Sequence, residues 1–335
     1  MRARVLSTET PALFAEAVRQ AAALLRSGGV IGIPTETVYG LAANAFDSEA
    51  VARIFTIKGR PGSNPVIVHV AGRTMAQRCV KAWPEVAQKM AAAFWPGPLT
   101  IVLPRSNVIP DIVTAGGATV GIRWPSHPFV QALIQACDFP LAAPSANRSG
   151  ELSPTTAEHV QKSLGNQIPL IVDGGASQIG IESTVIDLSE SPPRLLRPGM
   201  IHAESLVAIT GDLQTNDNAH SGILRSPGLL LKHYSPKARL VVWQWFEEAE
   251  LLSRLSALEP AGARAQIIAH SVIPTTLDAS RVSVIPRDAE AFARALYAEL
   301  HRCDEAGASL IVVEAVPETP EWQAIADRLS RASQV

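Results

Sequence analysis

Short runs of branched apolar residues alternate with segments of helical periodicity through the first 175 residues. Strands separated by helices predict an α/β domain. The runs at 183–188 and 193–197 are joined by a Ser-Glu-Ser-Pro turn, so we expect a mixed sheet rather than a purely parallel one. The other strand-like runs of this region lie at 30–33, 66–70, 99–103, 119–123 and 140–143.

The helices between these runs carry recognisable boundary signals. Thr10 followed by Pro11 predicts an N-cap and a first helical turn. Ser48 is the predicted cap of a second helix that ends at Ile57, which places Lys58 just beyond the helix. Periodicity further predicts one helix over 73–94 and another over 127–137.

A second, smaller domain is predicted in the last third of the chain. The 335 residues exceed the roughly 250–300 at which single cores stop growing. Residues 211–218 are polar and poor in aliphatic side chains, which is typical of a linker. Beyond them, strand-like runs alternate with helical stretches near 246–258, 288–304 and 320–333, so we expect a parallel sheet. Those runs lie at 240–243, 266–269, 282–285 and 310–313.

The charge balance and the cysteines argue against several classes of protein. A net charge of −2 gives no overall attraction to nucleic acid or to an anionic membrane. No uninterrupted apolar run approaches the ~20 residues of a membrane span. The three cysteines are widely separated and lack metal-ligand spacing. We therefore expect reduced thiols and a cytoplasmic protein.

Two polar loops concentrate the chemistry of the first domain. Residues 34–41 read Pro-Thr-Glu-Thr-Val-Tyr-Gly-Leu, and residues 58–65 read Lys-Gly-Arg-Pro-Gly-Ser-Asn-Pro. Lys58 and Arg60 together offer eight N–H donors and no acceptor, which suits phosphate or carboxylate. Alternatively, both cations cap the preceding helix and lie in solvent. Further polar loops at 144–150 and 180–184 lie at the ends of other strands, so these loops could converge on one cleft.

Two histidines have more than one interpretation. His69 lies in an apolar strand, where it is either a satisfied core residue or a hydrogen-bonding group on a cleft wall. It is not a zinc ligand, because no Cys or His lies at ligand spacing. His233 is equally ambiguous, although the irregular segment 232–236 favours a role in ligand binding or in a lid.

Buried or loop-borne charges raise a related question. Arg123 ends an apolar strand and needs an anionic partner, either a structural carboxylate or a substrate carboxylate. Arg194 and Arg197 pose the same question. Glu36 and Glu182 could help to hold a divalent metal or a substrate amine.

The sequence lacks two common catalytic devices. There is no Gly-x-x-x-x-Gly-Lys-Ser/Thr loop for phosphate. There is also no Gly-x-Ser-x-Gly motif or Cys/His arrangement for a covalent nucleophile. A site rich in cations and hydroxyls instead suits reactions in which positioning and charge stabilisation dominate, such as attack on a nucleotide α-phosphate.

Eight sequence blocks, in order, resemble the L-threonylcarbamoyladenylate synthases of the YrdC-like family, in the long form with an additional C-terminal domain. The resemblance implies an α/β fold: a YrdC-like twisted mixed sheet with flanking helices over 1–208, a linker or lid over 209–237, and a smaller Rossmann-like α/β domain over 238–335. It implies a nucleotidyltransferase that converts L-threonine, bicarbonate and ATP to threonylcarbamoyl-AMP, diphosphate and water. The blocks lie at 34–41, 58–65, 95–100, 123–128, 143–155, 180–187, 196–199 and 226–236.

The resemblance also implies roles for particular residues. Arg123 would hold the threonine carboxylate, and Mg²⁺ would accompany ATP with no protein ligand assigned to it. The implied catalytic tetrad is Lys58, Arg60, Ser145 and Asn147. The implied threonine contacts are Thr37, His69, Arg123, Ala143 through its backbone, and Ser183. The implied nucleotide contacts are Arg60, Asn64, Thr119, Ser145, Ser153, Arg197 and Tyr234.

The implied pathway is modification of tRNA, with N6-threonylcarbamoyladenosine formed at position 37. The product would pass to a tRNA threonylcarbamoyl transferase complex, with tRNA binding weak or indirect and no membrane involved. Two alternatives differ in class. A YrdC-like domain that mainly grips RNA is disfavoured by the net charge of −2. A carbamoyl-phosphate enzyme, as in hydrogenase maturation proteins, is disfavoured because no Cys-x-x-C pair is present.

Overall fold

The computed structural model describes residues 2–215, 234–258 and 264–334. These residues divide into two compact units, of which the first comprises 2–149 and 153–215. The second comprises 150–152 and the described residues from 234 onward. His233 and most of the predicted linker lie outside the described residues. The predicted domain boundaries at 208 and 237 therefore stay predictions.

The first unit is built on a ten-stranded mixed sheet, as the resemblance implied. Its strands are β1 (Arg4–Ser7), β2 (Ile31–Ile33), β3 (Gly40–Asn44), β4 (Val68–His69), β5 (Leu99–Pro104), β6 (Thr119–Arg123), β7 (Leu141–Ala142), β8 (Leu170–Asp173), β9 (Thr184–Asp187) and β10 (Arg194–Arg197). Their order across the sheet is β1-β8-β2-β3-β7-β4-β6-β5-β9-β10. β9 and β10 pair antiparallel, whereas β1 and β8 pair parallel, so the predicted mixed sheet is confirmed.

Sequence patterning did not identify β1, β3 or β8, and small residues explain why β3 was missed. The segment 34–41, predicted as a polar loop, runs directly into β3, whose sequence is Gly-Leu-Ala-Ala-Asn. Glycine and alanine carry little strand signal. The predicted strands at 66–70 and 140–143 are only two residues long in the structure. The residues that flank each of these strands form backbone hydrogen bonds to loop residues instead of regular strand pairs.

Helices flank this sheet, and two of the sequence predictions about them need correction. They are α1 (Pro11–Arg26), α2 (Ser48–Lys58), α3 (Arg73–Cys79), α4 (Glu85–Phe94), α5 (Pro128–Cys137), α6 (Ala157–Leu164) and α7 (Ala203–Thr210). Asp47, not Ser48, caps α2, and Lys58 is its last residue rather than lying beyond it. The single helix predicted over 73–94 is two helices, because Pro84 lacks an N–H and disfavours helical backbone in the residue before it.

Alternation along β3 places apolar side chains on both faces of the sheet. Leu41 and Ala43 belong to one hydrophobic cluster, together with Ile54 of α2. Ala42 belongs to another, together with Leu133 of α5. Successive strand residues point to opposite faces, so this sheet has a core on each side.

The second unit contains a four-stranded parallel sheet, as predicted. Its strands are β11 (Arg239–Trp243), β12 (Ala265–Ala269), β13 (Val282–Val284) and β14 (Leu310–Glu314), in the order β11-β14-β12-β13. Its helices are α8 (Glu248–Ser256), α9 (Ala289–Glu305) and α10 (Gln323–Ala332). The backbone N–H of Ser235 donates to Gly150 O at 2.9 Å, which explains why residues 150–152 cluster with this unit.

Two further sequence expectations can be compared with the described residues. Cys79, Cys137 and Cys303 are free and buried, and burial raises the pKa of the Cys137 thiol to about 11. Within residues 2–215, 234–258 and 264–334, no helix combines the length and apolar character needed to cross a membrane.

Candidate active site

The loop between β2 and β3 is buried although it is polar. Thr35, Glu36 and Thr37 are each at most 3% exposed. The backbone N–H groups of Ile179 and Gly180 donate to the carbonyls of Glu36 and Thr37, at 2.8 and 3.1 Å. The loop that precedes β9 therefore holds the loop that follows β2, and the predicted convergence of these two loops is observed.

Arg123, the last residue of β6, extends into this loop. Its Nη1 donates to Thr37 Oγ1 at 2.8 Å, and its Nε donates to Gly97 O at 3.2 Å. Its Nη2 forms an ion pair with Glu36 Oε1 at 2.7 Å. Of the five N–H donors of a guanidinium, these described contacts leave at least one on Nη1 and one on Nη2. Arg123 thus has a structural carboxylate and can still bind a second one.

Glu36 is an anion in this setting. Burial alone would raise the pKa of the Glu36 carboxyl, but the charge of Arg123 and a hydrogen bond from the Ser126 backbone outweigh it and hold the pKa below its usual range. The Ser126 N–H donates to Oε1 at 3.0 Å. The carboxylate therefore links three segments: the loop after β2, the end of β6 and the turn that follows it.

His69 ends β4 directly beside Arg123, its register partner in the sheet. Burial, followed by the charge of Arg123, lowers the pKa of its imidazole to about 3, so the ring is neutral at physiological pH. Its Nδ1 is buried and has no hydrogen-bond partner among the described residues. A satisfied core histidine would have one, so this observation favours the cleft-wall interpretation.

Lys58 is buried and does not lie in solvent as the helix-cap alternative required. Its Nζ donates to the carbonyl of Ser145 at 2.5 Å and to the carbonyl of Asn147. It also lies 3.4 Å from Asn147 Oδ1. The structure therefore brings three of the four implied catalytic residues together across some ninety residues of sequence.

Arg60, the fourth of these residues, contacts the far end of its own loop. It donates to Asn64 O at 3.0 Å, to Asn64 Oδ1 at 2.7 Å and to Pro65 O at 2.7 Å. Asn64, implied as a nucleotide contact, is thus placed beside Arg60. The N–H of Ser149 donates to Lys58 O and so joins this loop to the loop after β7. The loop after β7 is in turn joined to the loop between β2 and β3, because the N–H of Ala146 donates to Tyr39 O.

Ser183 and Arg197 meet at the start of β9. Arg197 donates through Nε to Ser183 O at 3.0 Å and through Nη2 to Ser183 Oγ at 3.1 Å. The Ser183 hydroxyl also lies 2.8 Å from Thr100 Oγ1. The side chain of Arg197 therefore orients the hydroxyl that was implied for threonine binding.

The structure shows a contact for each of Glu182 and Arg194, two charged residues whose partners the sequence left open. Glu182 accepts a hydrogen bond from Ser153 Oγ at 2.5 Å, and both side chains are buried. Arg194 donates to Gln214 Oε1 at 3.3 Å.

The remaining implied residues are less closely connected to this network. Thr119 begins β6 and is partly exposed. Ala143 follows β7 and donates its N–H to Ile67 O at 3.1 Å. Tyr234 belongs to the second unit, where its ring packs against Tyr297 and under the guanidinium of Arg328. The roles implied for these three residues stay predictions.

Sequence reasoning missed several groups that shape the site. Thr100 and Ser126 had no role, and the carbonyl of Gly97 was not considered. Each acts on a side chain more than twenty residues away along the chain, or through backbone atoms that carry no side-chain signal. The only available signal was their position inside or next to the blocks at 95–100 and 123–128.

The donor set also bears on magnesium. In the described part of the chain, no group of three or more His, Cys, Asp or Glu side chains is placed to hold a metal ion. The expectation that Mg²⁺ accompanies ATP, with no protein ligand assigned to it, stays a prediction.

Comparisons with known proteins agree with this architecture. A family model named Sua5_yciO_yrdC, described as "Telomere recombination", matches residues 23–199. One described as "Threonylcarbamoyl-AMP synthase, C-terminal domain" matches residues 201–334. The chain is 39% identical to a threonylcarbamoyl-AMP synthase of Pyrococcus abyssi, over 94% of each chain. It is 40% identical to that of Bacillus subtilis, over 98% of this chain and 94% of the other.

A solved structure gives the same result for the fold. P. abyssi Sua5 complexed with L-threonine matches with a TM-score of 0.90 and 37% identity, over 99% of this chain and 98% of that one. The two-unit α/β fold is thus that of Sua5, and its first unit contains the Sua5_yciO_yrdC domain. Within that class, the chain belongs to the threonylcarbamoyl-AMP synthase family, which confirms the family resemblance read from the sequence.

Proposed function

We propose that this chain condenses L-threonine, bicarbonate and ATP into threonylcarbamoyl-AMP with release of pyrophosphate. The observation that supports this most directly is the buried Arg123, which is paired with Glu36 yet keeps donors for a second carboxylate. An amino acid supplies that carboxylate. Thr37 contacts Arg123 and His69 is its register partner. These two residues and Ser183 are the proposed hydrogen-bonding partners of the rest of an L-threonine molecule.

The chemistry proceeds in two steps. The amine of threonine combines with bicarbonate, losing water, to give a carbamate. A carbamate oxygen then attacks the α-phosphorus of ATP, and the bond to the leaving pyrophosphate breaks. Lys58, Arg60 and Arg197 would stabilise the negative charge on the phosphates. Magnesium bound to the ATP phosphates would supply further charge neutralisation, and Asn64, Thr119, Ser153 and Tyr234 are the proposed additional nucleotide contacts.

The product is proposed to serve tRNA modification in the cytoplasm. A mixed carbamic–phosphoric anhydride is an activated group, so a separate transferase complex would accept it and transfer the threonylcarbamoyl group to adenosine 37. A lasting complex of this chain with tRNA is not required for that sequence. The similarity of this chain to the structure of P. abyssi Sua5 complexed with L-threonine supports an amino acid as the substrate.

The test is pyrophosphate release by the purified full-length chain with ATP and bicarbonate. Release should depend on L-threonine, and mass spectrometry should detect threonylcarbamoyl-AMP. Equal release with and without threonine would contradict the proposal. A YrdC-like carbamoyl-phosphate enzyme would instead respond to carbamoyl phosphate and not to threonine.

A further inference from the structure

A chain of hydrogen bonds links Thr35, a residue without an assigned role, to Thr37. Thr35 Oγ1 lies 2.6 Å from the backbone carbonyl of Val38 and 3.0 Å from Thr37 Oγ1. Thr37 Oγ1 lies 2.8 Å from Nη1 of Arg123. Both threonine side chains are buried. The direction of every bond in this chain can be worked out from the donors and acceptors involved.

A hydroxyl has one proton and two lone pairs, a carbonyl only accepts, and a guanidinium only donates. The Thr35 proton must therefore point to Val38 O, because otherwise two oxygens with no proton between them would lie 2.6 Å apart. Thr35 Oγ1 then accepts from the hydroxyl of Thr37. Its second lone pair accepts from the backbone N–H of Thr37, whose nitrogen lies 3.3 Å from Thr35 Oγ1. The bonds run from Arg123 to Thr37, then to Thr35, then to Val38.

This order determines what Thr37 can offer to a ligand. Its proton is used by Thr35, and one of its lone pairs is used by Arg123. The described contacts leave Thr37 a single lone pair, so towards a ligand it can accept a hydrogen bond but cannot donate one. Were the proton of Thr35 turned the other way, Thr37 would present a proton instead.

We propose that Thr35 is a positioning residue that sets Thr37 as a hydrogen-bond acceptor, so that Thr37 selects a substrate group bearing an N–H or O–H. The inference rests on the proposed function, in which Thr37 contacts L-threonine. Threonine carries two such groups, the α-ammonium and the side-chain hydroxyl. Its carboxylate can only accept, which leaves that group to Arg123.

The test compares Thr35→Val with Thr35→Ser in the full-length chain. Valine has the shape of threonine but removes the acceptor for the Thr37 proton, whereas serine keeps it. Thr35→Val should weaken L-threonine binding by about 10-fold or more in calorimetry, and the KM for ATP should not change. Thr35→Ser should bind threonine like the unaltered chain. Unchanged threonine affinity in Thr35→Val, or an equal loss for threonine and ATP, would overturn the inference.

Two controls keep the result interpretable. Thr114→Val removes another buried hydroxyl, bonded to Gly117 O at 2.9 Å, and should leave threonine affinity unchanged. If Thr35→Val does not fold, Thr35→Cys replaces the hydroxyl by a weak acceptor. Thr35→Cys should then bind threonine less tightly than Thr35→Ser, and equal affinities would count against the proposal.

The two substrate donors are separated by comparing L-threonine with L-2-aminobutyrate, which lacks the hydroxyl, in Thr37→Val. Loss of affinity for threonine alone would assign the bond to the hydroxyl, and equal loss for both would assign it to the ammonium. No loss for either would overturn the acceptor role. If the unaltered chain itself does not bind L-threonine, the proposed function fails. If it binds and Thr35→Val binds equally well, only the present inference fails.

Discussion

Replacing Glu36 by glutamine removes one charge of the Glu36–Arg123 pair with little change in shape. The two side chains are 3% and 4% exposed, and their charged atoms lie 2.7 Å apart. Removing one partner of a buried ion pair typically costs about 3 to 5 kcal/mol, because the other charge is left uncompensated. We expect a loss of about 3 kcal/mol in the unfolding free energy of the first unit, at the low end of that range. The reason is that a glutamine oxygen can still accept from the Ser126 N–H.

Coulomb's law supports this magnitude. Unit charges 2.7 Å apart attract by about 6 kcal/mol at an effective dielectric constant of about 20, before the cost of burying both groups is subtracted. The matched control is Glu158→Gln, whose carboxylate also lies 2.7 Å from a cation, Lys162, but in an exposed pair. Such helix-surface pairs contribute roughly 0.2–0.5 kcal/mol, so the control should lose little.

Hydrogen exchange with mass spectrometry, read on peptides that cover β4 and β6, measures the first unit separately from the second. The pH dependence adds an independent check. Because Arg123 holds the pKa of Glu36 low, the stabilisation is present above the unfolded-state value of about 4.3. It is lost as the pH falls through the lower folded-state value. The unfolding free energies of the unaltered chain and of Glu36→Gln should therefore converge in acid. A loss no larger than that of Glu158→Gln, or a difference that persists in acid, would refute the reasoning.

Other contacts lead to three more expected outcomes. Lys58→Ala should lower turnover by more than about 100-fold in the pyrophosphate assay, the scale of a lost electrostatic group, and a near-normal rate would contradict its phosphate role. Arg123→Ala should raise the KM for L-threonine far more than that for ATP, and the reverse split would move Arg123 to the nucleotide. Gly199→Ala should lower the melting temperature of the first unit, because the new Cβ would lie 2.4 Å from the backbone nitrogen of Thr184. Gly62→Ala meets nothing within 4 Å and should melt normally; equal melting of the two variants would argue against the clash.

Local signals predicted element types well and element boundaries less well. The alternation of strands and helices, the antiparallel pair β9–β10 and the parallel sheet of the second unit follow from patterning. Strand β3 was missed because its small residues carry little propensity. The cap of α2 was placed one residue late, because two adjacent polar residues, Asp47 and Ser48, can each serve as an N-cap. Lys58 was placed one residue outside the helix, which ends at a left-handed glycine cap, Gly59.

The site shows a similar limit for contacts between distant residues. Sequence reasoning identified Arg123 as a buried cation that needs an anion, and Glu36 as a carboxylate that could hold a divalent metal or a substrate amine. It could not pair them, because 87 positions separate the two residues and no local periodicity encodes that distance. The same holds for Lys58 and Asn147, which only the resemblance to a family had grouped together. Composition and propensity act over a few residues, whereas the tertiary arrangement of the loops and helix ends around the sheet brings these pairs together.

The Glu36–Arg123 pair should also affect which substrates bind, because its two charges balance. The pair carries no net charge, and neither does a threonine zwitterion, so binding brings no net charge into a buried region. A hydroxy acid such as 2,3-dihydroxybutyrate has the carboxylate but lacks the ammonium, and it would bring one uncompensated negative charge. In Glu36→Gln the remaining positive charge of Arg123 should favour that anion. We therefore expect the ratio of the hydroxy-acid inhibition constant to the L-threonine dissociation constant to fall in this variant. A ratio that Glu36→Gln leaves unchanged would show that the pair positions Arg123 without contributing to the selection of an amino acid.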